Sequence, residues 1–303
     1  MIRWGLCCMF REVPIKFATT TATSLARLSP TESREKLARL CHANALALRR
    51  AFEYCVLHGI GCFRVNSEIL PIKTHPTQGY EMTDLPGSAE IIGLFRDCGD
   101  YARQHDLRVC FHPSQFVVLN SLQPKVVAAA ISDLEYHGEV AEWVQADVIN
   151  IHGGGAFGDK SAALERFAAN LEQVSPRVRS RLTVENDDKI FSPADLLPLC
   201  QRTGIPLVYD VHHHRCLADD LSVAEATQAA LATWNREPMF HLSSPLEGWT
   251  GPQPERHHDF IDPADFPDEW SKLSITVEVE AKAKELAVRD IRAAMGLMTL
   301  KVD

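Results

Sequence analysis

A single (β/α)8 TIM barrel spanning residues 1–303 is the fold this sequence predicts, and three observations predict it. Eight short apolar runs alternate with longer stretches whose apolar residues recur every three or four positions. No linker, short repeat or low-complexity tract divides the chain, and α/β barrels of about 250 residues or more routinely form one domain. Metal-capable side chains stand at successive strand ends, where such a barrel builds its site. An open doubly wound sheet would share much of the alternation.

The first strand-like run, "IRWGLCCM" at residues 2–9, opens onto a long segment at 9–30. A helix is expected from Glu32 to Gly59, with Pro30-Thr31 as its start signal and Gly59 as its stop. "CFRVN" at 62–66 leads into a second long segment at 66–87. "LRVCFHP" at 107–113 and "DVINIHGG" at 147–154 flank a helix over Val126–Gln145. "LTVEND" at 182–187 precedes the helix start Ser192-Pro193, and "PLVYDVH" at 206–212 follows. "MFHLSS" at 239–244 and "SITVEVEAK" at 274–282 complete the set, separated by a third long segment at 243–272. The Pro and Gly content of the three long segments suggests shaped loops that form a metal-containing cleft.

Composition narrows the class. Hydrophobic residues at 46% and charged residues at 23% suit a soluble globular protein, and no apolar run approaches the roughly 18–20 residues of a membrane span. One basic residue before a short apolar patch does not make a signal peptide, so a cytoplasmic protein without membrane partners is expected. Nine scattered cysteines without paired spacing read as reduced thiols, with Cys7 and Cys8 in the core. A net charge of −9 excludes a general basic coat for nucleic acid but not a local site, since acids gathered around cations inflate the negative count.

Six successive strand ends carry a metal-capable side chain: His112, His152, Glu185, Asp210 with His213, His241 and Glu280. Imidazoles mixed with carboxylates suit Mn, Zn or Fe better than an all-oxygen calcium or magnesium cage. With His257 included, about eight ligands converge, enough for about two or three ions sharing bridging carboxylates. Glu185 and Glu280 are natural bridges. Such a cluster would activate water near neutral pH, orient an in-line attack on a phosphodiester and stabilise the departing oxyanion, with Glu185, Asp210, His241 and Glu280 as the catalytic set. In "LVYDVHHHRC" an extended chain would put Asp210 and His212 on one face, whereas a turn after Val211 would bring His213 back beside Asp210; spacing leaves both open.

These motifs resemble the UV damage endonucleases, a family of DNA-repair nucleases. The matching stretches are "FHPSQF", "VINIHGGGAFGDK", "LTVENDDK", "DVHHHR", "HLSSP", "HHDF" and "EAKAK", with weaker similarity through "RVNSEILPIKTHP". The resemblance implies a (β/α)8 barrel with up to three divalent ions, typically Mn with Zn, Fe or Mg as alternatives, that cuts damaged double-stranded DNA 5′ of the lesion. It implies the ligands His112, His152, Glu185, Asp210, His213, His241, His257 and Glu280, which selects His213 from the triplet. It also selects His257 over His258, because the family pattern reads His, any residue, Asp. Gln115 and Phe116 fall where the family probes the distorted duplex, and an inserted ring can replace lost stacking. Asn186 and Lys282 complete the expected substrate contacts.

Two departures mark a divergent branch whose lesion need not be a pyrimidine dimer. Met239 stands where the family has a carboxylated lysine ligand, leaving one ion short of an oxygen donor. "RWGLCCMF" replaces an aromatic-rich beginning. Arg64, Lys73, Lys160, Lys189 and Lys282 are expected phosphate contacts near the rim, and the glycines of "GGGAFGDK" are expected to let backbone approach metal or substrate. A xylose-isomerase-like barrel acting on another substrate is one alternative, which as a sugar isomerase would need a small polyol pocket. A non-catalytic DNA- or ligand-binding homologue is the other, separable by its lower metal content.

Overall fold

The computed structural model describes residues 1–296, in which eight parallel strands close into a barrel in chain order. They are β1 (Ile2–Cys7), β2 (Cys62–Val65), β3 (Arg108–Phe111), β4 (Val148–His152), β5 (Leu182–Glu185), β6 (Leu207–Asp210), β7 (Met239–Leu242) and β8 (Ile275–Val279). Pairing of β1 with β8 closes the ring. Around it run α1 (Ala22–Leu25), α2 (Pro30–Leu57), α3 (Ser88–Gln104), α4 (Pro124–Val144), α5 (Lys160–Leu171), α6 (Pro176–Arg179), α7 (Pro193–Thr203), α8 (Val211–Cys216), α9 (Val223–Leu231) and α10 (Glu285–Ala294). No helix among the described residues is long and apolar enough to cross a membrane.

Two helix starts lie earlier than the sequence suggests, for one reason. Pro30 and Pro124 occupy the first turn of α2 and α4, where the missing N–H has no helical partner to lose. Ser29 then caps α2: its hydroxyl accepts from Glu32 N, and the Glu32 carboxylate accepts from Ser29 N at 2.9 Å. The long segment expected between β7 and β8 is a loop without an α-helix. That connection holds only the 3-10 turns Pro263–Asp265 and Asp268–Lys272. Prolines at 245, 252, 254, 263 and 267 remove donors and restrict each preceding residue, so no α-helix can propagate. Trp270 anchors the segment instead, fully buried with its indole N–H donating to Thr227 Oγ1 at 2.9 Å.

Alternation along the strands sorts the interior. Outward residues such as Phe63, Phe111, Ile149, Ile151, Tyr209, Phe240 and Val277 pack against the helices in the main core. Inward, Cys62, Cys110, Val148 and Met239 form a separate small apolar layer. Two residues further along the same strands the lumen turns polar, with Arg64, His112, Asn150 and His241. All nine cysteines are free thiols; Cys7 is buried as expected, whereas Cys8 is only part-buried.

Candidate metal centre and active site

Strand register brings the expected ligands side by side. His152 is the β4 partner of Glu185, and Asp210 is the β6 partner of His241. Glu185 is fully buried at the centre. Its Oε2 lies 2.9 Å from His112 Nε2 and accepts from Asn150 Nδ2 at 2.5 Å. Its Oε1 faces His241 Nδ1 at 3.2 Å and His213 Nδ1 at 3.3 Å. The rings of His112 and His152 lie 5.0 Å apart.

The histidine triplet is resolved by a helix. Asp210 is the N-cap of α8, and its Oδ1 accepts from His213 N at 2.8 Å. One turn therefore folds His213 back beside Asp210, with Nδ1 3.5 Å from Asp210 Oδ2. His214 points elsewhere, contacting the Tyr209 hydroxyl at 2.7 Å and Asp219 Oδ1 at 3.0 Å. His212 is buried against Trp249 and His257, with ring centroids 5.1 and 5.0 Å away.

At β7 and β8, His241 Nδ1 lies 3.4 Å from Glu280 Oε1 and His257 Nδ1 lies 3.9 Å from Glu280 Oε2. All eight expected ligands thus gather at the C-terminal mouth. His258 does not join them: its Nδ1 accepts from Phe260 N at 3.0 Å. Glu185 Oε1, Asp210 Oδ2, His241 Nδ1 and His152 Nδ1 are buried without any aligned hydrogen bond, although His241 Nδ1 sits 3.2 Å from Glu185 Oε1 and 3.9 Å from Asp210 Oδ2. Lone pairs that converge without shared hydrogens are the arrangement of a ligand set, so these residues fit divalent ions.

The charges are tightly coupled. Burial alone would raise the Glu185 carboxyl, but His241, His152 and His112 hold it well below the usual range. Burial would push the His213 imidazolium down, yet Asp210 and Glu185 hold it up to about 10. His241, despite complete burial, is held well above its ordinary value by Glu185 and Glu280. Unless an ion is bound, protons on these imidazoles supply the cationic charge that the carboxylates demand.

Other expected contacts divide. Gln115 and Phe116 are exposed on the loop after β3, Phe116 at 79%. Lys282 is exposed and borders a cavity of about 470 Å³ together with Arg256, Lys284, His257 and Glu280. Asn186 is corrected: it is fully buried, its Nδ2 donating to Asp210 O and its Oδ1 accepting from Asp210 N, both at 2.9 Å. It braces β5 against β6 and presents nothing to a substrate. Arg64 and Lys73 are corrected too. Arg64 is buried between Glu278 and Glu280, and Lys73 is buried against Glu81 at 3.0 Å. Lys160 pairs with Asp195 at 2.7 Å and Lys189 with Asp188 at 3.3 Å, and both lysines remain exposed. Gly154, at φ +84°, makes room for the Asn120 amide rather than for metal or substrate.

The family model described as UV-endonuclease UvdE matches residues 2–301. The chain belongs to this family. A UV DNA damage endonuclease of Bacillus cereus strain B4264 is 32% identical over 282 residues, covering 89% of this chain and 86% of that one. The crystal structure of SacUVDE superposes with a TM-score of 0.86 at 28% identity, covering 98% of this chain and 100% of the other. Endonuclease IV from Thermus thermophilus matches at a TM-score of 0.63 and 15% identity, covering 98% of this chain and 100% of the other, which shows a shared fold. UvdE membership and this fold together support a DNA-repair endonuclease.

Within the UvdE frame, sequence reasoning missed two inward groups, Asn150 and Glu278, and misassigned a third, Arg64. Asn150 orients Glu185. Glu278, the β8 partner of His241, is a fully buried acid that burial would raise but Arg64 and His241 bring down to about 2. Arg64 is its guanidinium partner. A signal existed for each: they stand two residues before His152, two before Glu280 and two after Cys62, hence on the same inward face.

Proposed function

We propose that the chain is a metal-dependent endonuclease that hydrolyses a phosphodiester 5′ of damaged or distorted bases in double-stranded DNA, using about two or three divalent ions, with Mn expected. The observation that carries the reading is the convergence of buried, hydrogen-bond-free donor atoms of His152, Glu185, Asp210 and His241 at the open mouth of a UvdE-type barrel.

His112, His152, Glu185, Asp210, His213, His241, His257 and Glu280 would hold the ions, with Glu185 and Glu280 facing more than one imidazole each. When bound, such ions polarise the phosphoryl oxygens and lower the pKa of the attacking water. The chain's own residues do the rest. Asn150 and His112 fix the Glu185 plane, and Asp210 fixes His213 through the helix it caps. Lys282, Arg256 and Lys284 beside Glu280 are placed to receive backbone phosphates. Phe116 and Gln115 project from the rim to test the base stack, where a ring can fill the gap left by extruded bases. An exposed aromatic at an open mouth suits a polymer better than a small polyol.

The test is nicking of supercoiled plasmid, irradiated and unirradiated, by protein loaded with Mn and by the same protein after chelation. Preferential, chelator-sensitive nicking of irradiated plasmid is the expected result. Metal-replete protein that leaves both plasmids intact overturns the reading.

A further inference from the structure

Arg64 is the residue of this lumen that neither the ligand set nor the phosphate contacts explain. It leaves β2 pointing inward and is buried at the level of the expected ligands. Its Nη2 lies 2.5 Å from Glu278 Oε2, 2.6 Å from Glu280 Oε1 and 3.1 Å from His241 Nε2. Two carboxylates closing on one positively charged nitrogen form the anionic surroundings of a bound cation.

The group is locked there. Glu278 Oε2 also accepts from Arg64 Nε at 3.0 Å, so one oxygen holds two guanidinium nitrogens, while Glu278 Oε1 accepts from Cys110 Sγ at 3.1 Å. Gly5, the register partner of Glu278 on β1, leaves the space: a Cβ there would stand 3.2 Å from Glu278 Cγ. His241 Nε2 is 3.0 Å from Glu278 Oε2. A proton on Nε2 directed at that carboxylate leaves Nδ1 free toward Glu185, Asp210 and Glu280.

We propose that the Arg64 guanidinium, held by Glu278, serves as a tethered cation within the centre, so that it satisfies Glu280 on one side and the chain takes up one exchangeable ion fewer than its acids and imidazoles would otherwise hold. Met239 agrees with this: below His241 it lies in the apolar layer with Cys62, Cys110 and Val148 and offers no oxygen to a further ion. A guanidinium keeps its charge at every working pH and cannot be chelated away, so this part of the centre is permanently loaded.

The inference rests on the metal reading above, and its test counts ions rather than turnover. Elemental analysis and Mn titration of the parent, Arg64→Gln and Arg64→Lys follow equilibration with Mn and removal of free metal. The parent is expected to hold about two ions. Arg64→Gln, which frees Glu278 and Glu280, is expected to hold one more, and Arg64→Lys to match the parent. About three ions on the parent, or no gain in a folded Arg64→Gln protein, overturns the tethered-cation assignment; if Arg64→Gln does not fold, the parent's count decides. No ion on the parent overturns the metal reading itself, and the assignment with it.

Discussion

Replacing Phe116 by Ala is expected to separate the proposed recognition of damage from stability of the fold. Phe116 is 79% exposed, so roughly a fifth of its surface is buried. A Phe side chain offers about 200 Å² to burial, and a fifth of that, at about 25 cal/mol per Å², comes to roughly 1 kcal/mol as the largest folding cost of its removal. On DNA the ring is expected to replace a lost stacking partner, worth about 1–3 kcal/mol per base, or roughly 5-fold to 150-fold in Kd. Fluorescence anisotropy with a duplex carrying a defined UV lesion and the same duplex undamaged measures the effect. The variant is expected to melt within a few degrees of the parent and to lose most of its preference for the lesion. An unchanged ratio of the two affinities would refute the stacking role, and a large loss of stability would refute the placement of the ring outside the core.

Glu185→Gln keeps the size of the central acid and its contacts with Asn150 and His112 but removes the charge that three imidazoles face. Mn affinity is expected to fall by more than the roughly 10–100-fold typical of losing a group behind a ligand, with nicking abolished; isothermal titration of a variant that binds like the parent would contradict this. Before loading, His213, held up to about 10, and His241, held well above its ordinary value, both carry protons at pH 7 that an ion must displace. Affinity therefore rises with pH, about tenfold per unit for each proton released, and the His213 share levels off once pH passes about 10; competition against a chelating dye at pH 7 and pH 8 reads the slope, and a flat response would be the contrary result. Ser29→Ala removes the cap of α2 far from the mouth. It is expected to cost about 1 kcal/mol and about 2 °C in melting temperature with nicking unaltered, which calorimetry and the plasmid assay check together.

The barrel and most of its rim were legible because both follow from local rules. Strand and helix periods differ, and residues at strand ends such as His152, Glu185 and His241 must emerge at one mouth whatever the details of packing. What stayed hidden depends on partners distant in the chain. Nothing near Arg64 announces that Glu278 and Glu280, more than 200 residues away, will enclose it, so a basic residue at a strand end reads as a surface cation. Asn186 sits beside a ligand and reads as a substrate contact; only the pairing of β5 with β6 shows that its amide is consumed by Asp210's backbone. The histidine triplet needed a backbone turn, and the cap that starts it could be read as a possibility but not chosen from spacing.

Asp210 divides its two oxygens between two duties: Oδ1 starts a helix and Oδ2 faces His213 and His241. The chain has thereby tied an architectural task and a chemical one to a single carboxyl. Truncation to Ala unseats the neighbouring imidazole along with the oxygen it deletes and reports the sum of both injuries, whereas Asn, which still caps, removes only the charge.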